Sequence, residues 1–289
     1  MRCLFCSDLH GNLRKYQFLF EQIELMEPDA VFLGGDLLPS GLISGRALDI
    51  EHRDFINGFL RNEFKALKQK MKKQYPEIFL IMGNDDPRFY EISFLDPQNQ
   101  KYWHYVHNKK FRFNDFEILG YSFIPPSPFQ LKDWEKYDVS RYVDVGSTHP
   151  YEGHRSFPTD KYHIQHSTIK KDLEKLAENV DMENTVFLFH APPYKTVLDR
   201  ADLDGKMIDY VPLDVHVGSI AIRDFILEKR PFVTLHGHVH ESSRLTGKWK
   251  DKIGRTCCFQ GAYENDGMAV IIFDTDEPHK AKRNLFKFD

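Results

Sequence analysis

The chain has 289 residues, of which 41% are hydrophobic and 28% are charged, and its formal net charge is −4. This composition is typical of a globular protein with a substantial core. The slightly negative charge excludes a global electrostatic field that would hold DNA or an anionic membrane surface. No run of residues approaches the roughly 20 apolar positions of a membrane span.

Strand-like and helix-like patterns alternate along the first part of the chain. Residues 2–7, 30–34 and 77–82 are short apolar runs of the kind that form buried strands, whereas 13–26 and 51–73 have apolar residues at helical spacing. The order β-α-β-α-β predicts an α/β protein with a parallel sheet and right-handed crossovers.

The second part of the chain continues this alternation less regularly. We predict strands at 116–121, 185–189 and 232–236, a helix near 166–178, a helix that opens at Ser219, and antiparallel strands near 255–260 and 268–273. No internal repeat or low-complexity linker divides the chain, so one domain over residues 1–289 is predicted.

Two long segments, 122–165 and 192–217, have no clear period. Structureless insertions of this length in a compact domain are usually lids or binding loops, and we predict a lid at 122–165.

Metal-binding side chains follow five of the apolar runs. They are Asp8 and His10 in CSDLHGN, Asp36 in FLGGD, Asn84 in FLIMGND, His190 in VFLFHAPP, and His238 and His240 in LHGHVH. Ligands of open α/β sheets collect at the carboxyl ends of the strands, so one composite site is expected. Taken singly, Asp8 also suits a helix N-cap, Asn84 a turn, and the neighbouring His236 a structural role.

This set of side chains has enough donors for two cations. Asp36 has two carboxylate oxygens and can therefore ligate one ion with each. Imidazole, carboxylate and amide donors without thiolate favour Mn, Fe, Zn or Ni over Mg or Ca. Two divalent ions would outweigh Asp8, Asp36 and a bridging hydroxide by about one positive charge, which suits a phosphate ester.

These motifs resemble, in order and spacing, the calcineurin-like metallophosphoesterase superfamily, whose pattern is D-x-H, G-D, G-N-H-[DE], a lone His, and G-H-x-H. The resemblance spans residues 1–273, and the stretch HVGS at 216–219 is similar to bacterial and archaeal members. It implies a four-layer α/β/β/α sandwich and a bridging hydroxide that attacks phosphorus in line. The implied ligands are Asp8, His10, Asp36 and His240 for the first ion, and Asp36, Asn84, His190 and His238 for the second.

One position departs from the family pattern. Asp85 stands where the family has a histidine that assists the leaving group. A carboxylate beside two cations is a poor proton donor, so we predict either a good leaving group or another histidine as the donor. The candidates are His149, His154, His163, His166 and His216. Family members without that histidine often act on diesters, so the resemblance favours a phosphodiester. The predicted catalytic residues are Asp36, Asn84, Asp85 and His190.

The expected substrate is a small phosphate ester or a nucleotide, and two other functions stay open. A non-catalytic scaffold of the same fold would be expected to have lost ligands, and none of the seven is missing. A nuclease would use Arg141, Arg155 and Trp134, but acidic residues are interleaved with them. The sequence predicts no membrane partner and leaves the oligomeric state open.

The N-terminal residues and the cysteines indicate the cellular compartment of the protein. The first strand begins at residue 2 and leaves no space for a signal peptide, so a cytoplasmic protein is expected. Cys3, Cys6, Cys257 and Cys258 lie within or beside apolar runs, and we predict that they are core residues.

Overall fold

The computed structural model describes residues 1–39, 54–264 and 267–288. Within these ranges the strands are β1 (Arg2–Cys6), β2 (Ala30–Gly34), β3 (Glu77–Ile81), β4 (His104–Tyr105), β5 (Lys110–Phe113), β6 (Phe116–Tyr121), β7 (Thr185–Phe189), β8 (Met207–Ile208), β9 (Val211–Pro212), β10 (Val233–His236), β11 (Lys250–Ile253), β12 (Thr256–Gln260), β13 (Met268–Asp274) and β14 (Lys282–Phe286). The α-helices are α1 (Leu13–Met26), α2 (Arg61–Met71), α3 (Glu91–Phe94), α4 (Lys161–His166), α5 (Ile169–Leu176), α6 (Ile220–Lys229) and α7 (Ser242–Thr246).

In the described part of the chain, the strands form two six-stranded sheets and a small ribbon. The first sheet has the order β14-β13-β1-β2-β3-β4, the second has the order β11-β12-β10-β7-β6-β5, and β8 pairs with β9. Neighbours from β1 to β4 are parallel, as are β6, β7, β10 and β12. Parallel neighbours bring their carboxyl ends to a common edge of each sheet, which is where ligands bind in such folds.

The alternation of side chains along the strands builds four layers. Phe5 of the first sheet and Leu188 of the second belong to one apolar cluster between the sheets. Side chains of the opposite faces belong to a second cluster that includes Tyr16 of α1 and Phe225 of α6. Successive strand residues point to opposite faces, so each sheet is covered on both sides. The predicted four-layer α/β/β/α sandwich is confirmed.

The first half of the chain follows the sequence pattern closely. α1 and β2 have the predicted bounds, and the Oδ1 of Asn12 caps α1 by accepting the backbone N–H of Arg14 and Lys15 at 3.0 and 3.3 Å. The predicted helix 51–73 is divided into a π-helical segment, Phe55–Leu60, and α2. Residues 51–53 of that prediction lie outside the described residues.

The second half departs from the prediction in two places. Helix α5 begins after the predicted residue 166, because the Thr168 hydroxyl caps it by accepting the N–H of Lys171 at 3.2 Å. β13 is antiparallel to β1 as predicted. β12 is antiparallel to β11 but parallel to β10, so the antiparallel prediction is confirmed for one of its two pairings and wrong for the other. Between β10 and β12 the chain passes through helix α7 and strand β11, which returns it to the start of the sheet so that β12 runs parallel to β10. The apolar runs of the sequence do not indicate this path.

The start of the segment 122–165 is fixed to the core. Trp134 and Tyr137 are fully buried, and the Trp134 indole donates to the backbone oxygen of Asp86 at 2.8 Å. Lys132 and Glu135 form a buried ion pair at 2.7 Å. The second long segment, 192–217, contains the ribbon of β8 and β9, whose residues are exposed.

The cysteines are free and buried, as predicted. Cys3 and Cys6 lie on opposite faces of β1, one in the cluster between the sheets and one in the helix-facing cluster. Burial raises the pKa of the Cys258 thiol to about 12. Among the described residues, no helix is both long and apolar enough to cross a membrane.

Candidate metal centre

The seven predicted ligands lie just beyond the carboxyl ends of parallel strands. Asp8 and His10 follow β1, Asp36 follows β2, Asn84 follows β3, His190 follows β7, and His238 and His240 follow β10. The first three strands belong to one sheet and the other two to its partner. The site therefore lies where the carboxyl edges of the two sheets meet.

One group of donor atoms surrounds His240. Its Nε2 lies 3.1 Å from Asp8 Oδ1 and 3.4 Å from His10 Nε2. Each of the three residues offers a donor atom, and these atoms lie within 4.8 Å of one another. Two donors bound at about 2.1 Å to one tetrahedral ion are about 3.4 Å apart, so this spacing fits ligands of a single ion.

A second group surrounds Asp36. Its Oδ2 lies 3.5 Å from His190 Nε2 and 3.9 Å from His10 Nε2, so this carboxylate stands between the two groups. The Oδ1 of Asn84 is 2.9 Å from His190 Nε2. His190 Nδ1 lies 2.8 Å from the backbone oxygen of Gly34. A histidine that donates through Nδ1 to a carbonyl presents Nε2 as the ligand nitrogen.

His238 and Asp85 complete the cluster. The His238 ring centroid is 5.3 Å from that of His190, and the His238 backbone N–H donates to both Asp8 oxygens at 3.2 Å. The Asp85 backbone N–H donates to Asp36 Oδ1 at 2.8 Å, and Asp85 Oδ2 lies 3.5 Å from His10 Nδ1. The structure thus brings all eight predicted site residues together, with His238 outside the tightest groups of donor atoms.

Four of these residues have a left-handed backbone conformation. The φ angles are 59° at Asp8, 47° at His10, 51° at Asp36 and 74° at His238. Each such residue stores about 1–3 kcal/mol of strain, which persists only where the surrounding structure fixes the conformation. Strain concentrated at the ends of three strands is typical of a functional site.

Two glycines allow the backbone to approach the ligands. A Cβ on Gly35, whose φ is +92°, would lie 2.7 Å from His190 Nδ1, and a Cβ on Gly237 would lie 2.7 Å from Asp8 Oδ2. Neither position leaves space for a side chain. The donor set and this close backbone packing fit a pair of cations of the imidazole- and carboxylate-binding type.

The electrostatics of the cluster couple its carboxylates to its imidazoles. Burial alone would raise the pKa of Asp36, but His190 and His10 lower it below its ordinary value. Burial likewise opposes protonation of His190, yet Asp36 raises the pKa of that imidazole to about 9. For His238, burial and the nearby His190 outweigh the opposing effect of Asp36 and Asp8 and lower the pKa of the imidazole to about 3.

Asp86 is a structural residue of the site that the sequence analysis missed. Its buried carboxylate accepts the backbone N–H groups of Leu37, Leu38 and Gly83 at 3.1, 2.7 and 2.9 Å. It therefore ties the loop after β2, which carries Asp36, to the loop after β3. A signal was present, because Asp86 occupies the [DE] position of the G-N-H-[DE] pattern.

Asn12 and His236 have structural roles beside the candidate centre. Asp8 is not the cap of α1, because that role belongs to Asn12. His236 has the predicted structural role: its ring nitrogens lie 2.9 Å from the Ala191 carbonyl and 2.8 Å from the Thr234 hydroxyl. Burial lowers its pKa to about 4, which keeps the imidazole neutral.

A cavity of about 470 Å³ opens beside His238. Of the five histidines considered as proton donors, only His216 belongs to its described lining. His216 Nδ1 lies 2.8 Å from Asp199 Oδ1, and Asp199 is fully buried. His149 contacts the hydroxyl of Tyr137 at 3.0 Å instead. The other three, His154, His163 and His166, are exposed.

Comparisons with known proteins agree with this geometry. A family model described as calcineurin-like phosphoesterase matches residues 1–242. An uncharacterized protein of Methanocaldococcus jannaschii, MJ1162, is 37% identical over 111 residues, which are 38% of this chain and 40% of that protein. The match therefore spans less than half the length of that relative. The chain belongs to the calcineurin-like phosphoesterase family, a family of metal-dependent hydrolases.

Solved structures share the fold. One superposes with a TM-score of 0.60 at 17% identity and covers 100% of this chain and 99% of its own. The protein TT1561 of Thermus thermophilus superposes with a TM-score of 0.55 at 14% identity over 98% of this chain and 97% of that one. At these identities the likeness extends to the architecture alone.

Proposed function

We propose that this protein is a phosphoesterase that depends on two divalent transition-metal ions and acts on a phosphodiester. The convergence of the seven donor residues at the joint edge of the sheets carries this proposal. In it, the first ion is held by Asp8, His10, Asp36 and His240, and the second by Asp36, Asn84, His190 and His238. When bound, the two ions neutralise charge on the phosphoryl oxygens and supply an activated water as the nucleophile. The nature of the donors favours Mn, Fe, Zn or Ni.

Contacts within the chain orient two of these ligands. The Gly34 carbonyl fixes the ring of His190, and the backbone of Asp85 fixes one oxygen of Asp36. Such contacts orient ligands and limit the reorganisation that accompanies catalysis.

Asp85 supports a preference for diesters. It lies within 4.8 Å of the donor atoms of His10 and Asp36, and so adds a third carboxylate to Asp8 and Asp36. Each carboxylate offsets one positive charge of the ions. A monoester carries up to two negative charges and a diester only one, so the added carboxylate reduces the attraction of a monoester more.

His216 is the proton donor in this proposal. Its Nδ1 is held by the buried Asp199, whose other contacts are the backbone N–H groups of Lys195, Thr196 and Gly218 at 2.9, 3.0 and 3.1 Å. This pairing leaves Nε2 of His216 for the cavity. A positioned histidine that protonates a leaving oxygen typically contributes 10²–10⁴-fold to the rate.

The chain in this proposal is one metallophosphoesterase domain with a lid insertion at 122–165. Phe129 of that segment lies near the candidate centre, with its ring centroid 6.5 Å from that of His238. This proximity supports the proposal that the segment covers one side of the site.

A substrate screen tests the proposed function. The purified protein is assayed with Mn²⁺ on matched phosphomonoesters and phosphodiesters, and we expect hydrolysis with higher kcat/KM for the diesters. The variants Asp36→Asn and His190→Ala should each lose about 10³-fold or more in kcat, because each removes a ligand of the candidate centre. Absence of any ester hydrolysis with added metal would favour the non-catalytic scaffold instead.

A further inference from the structure

The candidate metal centre does not account for the cavity beside His238. The segment 122–165, the segment 192–217 and the turn after β10 supply its walls, and His238 and Val239 belong to its lining. It is thus continuous with the candidate metal centre. Its volume of about 470 Å³ lies in the range of pockets that bind small organic molecules.

The wall of the cavity is mainly apolar. Pro126, Leu203 and Leu213 belong to the lining, together with side chains that remain open to solvent. Among the latter, Phe129 is 48% exposed and Ile208 is 41% exposed. A concave apolar surface beside a set of convergent polar groups is characteristic of a ligand site.

Carboxylates outnumber cationic groups in the wall of the cavity. Asp144, Asp214 and Glu241 line the cavity, and its lining among the described residues includes no lysine or arginine. Hydrogen bonds hold two of these carboxylates: the Tyr194 hydroxyl donates to Asp214 at 2.6 Å, and the Asp202 N–H donates to Glu241 at 3.1 Å. A second phosphate or a carboxylate placed beside Asp144 and Asp214 would meet like charges, and the one cationic group proposed for this wall, protonated His216, is already paired with the buried Asp199.

We propose that this cavity binds the alcohol portion of the substrate, and that this portion is apolar and carries no negative charge. The inference rests on the proposed function, since the phosphoryl group of the same ester would reach the metal centre. It favours alkyl and aryl phosphate esters, and it disfavours nucleoside polyphosphates and oligonucleotides, whose leaving groups carry further phosphates.

Two aryl methyl phosphodiesters test the charge selectivity. Their phenol rings carry either a para butyl group or a para propionate chain of similar length, so size and leaving-group pKa are nearly matched. With Mn²⁺-loaded protein we expect kcat/KM to be at least tenfold higher for the butyl ester. Equal values, or faster hydrolysis of the propionate ester, would overturn the inference.

A pair of lysine variants tests whether the charge selectivity arises in this cavity. Val145 lines the cavity and is 41% exposed, so the ammonium group of Val145→Lys stays in water and the fold is kept. This variant should raise kcat/KM for the propionate ester at least threefold and so reduce the ratio of kcat/KM between the butyl and propionate esters. Leu227 is 50% exposed on α6 and is outside the lining, so Leu227→Lys is the matched control that keeps the wild-type ratio. The same ratio in both variants would contradict the assignment of the cavity.

Binding to the metal-free protein separates this inference from the proposed function. By titration calorimetry, 4-butylphenol should bind at least tenfold more tightly than 3-(4-hydroxyphenyl)propionate, and Asp144→Asn should reduce that difference. If neither phenol binds while the diesters are hydrolysed, the inference fails and the proposed function stands. If 4-butylphenol binds but no ester, including phenyl methyl phosphate, is hydrolysed with any metal, the proposed function fails, and only the preference of the cavity for an apolar, uncharged ligand stands.

Discussion

At the scale of single residues, the least expected feature is the acidic side chain at position 85 together with a histidine held elsewhere. Asp85 lies among the donor atoms of the candidate metal centre, whereas His216 lies in the cavity wall with its Nδ1 at 2.8 Å from a buried carboxylate. An imidazole so held is oriented for proton transfer. In the proposed function, His216 takes the proton-donor role that the family motif gives to the histidine replaced here by Asp85.

The first prediction concerns His216. Replacing His216 by Asn should slow diesters with alkyl leaving groups about 100-fold, because their alkoxides need a proton, while nitrophenyl esters change little. The measurement is the slope of log kcat against leaving-group pKa, which should become steeper in the variant. His166→Asn, at an exposed position outside the cavity, is the control. A uniform loss across all leaving groups would point to a structural role.

The candidate ligands were predictable from sequence, and their partners were not. Each of the seven follows an apolar run, so local pattern gave their positions at strand ends. The contacts that orient them join residues far apart in the chain, such as His190 to Gly34 and His216 to Asp199. Such pairs have no local signature. Trp134 illustrates the same limit: its ring is fully buried and is not exposed for base stacking, as a nuclease would need.

At the scale of elements, the strand-end loops depend on buried polar contacts. Asp86 connects the loops after β2 and β3 through three backbone N–H groups. A buried N–H group that loses its acceptor costs about 1–3 kcal/mol of stability, so the acceptor oxygens of Asp86 matter for both loops. These loops carry Asp36 and Asn84, so the second prediction tests whether Asp86 positions them.

Asp86→Ala should lower the free energy of unfolding by about 3 kcal/mol or more, because it leaves buried donors without an acceptor. It should also weaken Mn²⁺ binding, although Asp86 is not among the proposed ligands. Urea denaturation and metal titration measure the two effects. Asp86→Asn, which keeps the size and one acceptor oxygen, should be less severe. Normal metal affinity in a folded Asp86→Ala protein would remove the positioning role.

The third prediction concerns His107, between β4 and β5. It is buried, and its Nδ1 accepts the backbone N–H of Ser122 at 3.0 Å, where the segment 122–165 begins. Burial, with a further effect of the cations Arg88, Lys136 and Lys109, holds its pKa well below the ordinary value. Below about pH 6.5 the unfolded chain then binds a proton that the folded chain does not, so stability falls as pH falls, by up to about 1.4 kcal/mol per pH unit.

His107→Gln should therefore lose less stability than the wild type between pH 7.5 and pH 5.5. Urea unfolding at both pH values measures the difference. His154→Gln, at an exposed position, serves as the control. Equal pH dependence in the wild type and the His107 variant would show that this imidazole does not stay neutral in the fold.

Among elements, the regular central strands were the most predictable. β2, β6 and β7 have the predicted bounds, since a buried parallel strand is a nearly continuous apolar run. The direction of β12 and the existence of β14 were not predictable. Strand direction depends on the path of the intervening chain, and β14 (KRNLF) has mixed polar and apolar residues without a clear alternation.

At the scale of the whole molecule, the four-layer architecture positions the candidate site. The central strands of each sheet are parallel, so five strand ends lie at the edge where the two sheets meet. Each group of donor atoms contains residues from both sheets. The left-handed backbone at Asp8, His10, Asp36 and His238 shows how much of the local conformation the surrounding fold imposes. The architecture could be predicted from the order of the motifs. The cavity and the charge of its wall could not, because they depend on how two irregular segments pack.

The central claim is that Asp36 joins two ion sites, and the stoichiometry of Mn²⁺ binding tests it most directly. Titration calorimetry on the metal-free protein should give two ions per chain for the wild type and at most one tightly bound ion for Asp36→Asn, with both proteins folded by circular dichroism. Two tight ions in Asp36→Asn, or none in a wild-type protein that still hydrolyses diesters, would contradict it.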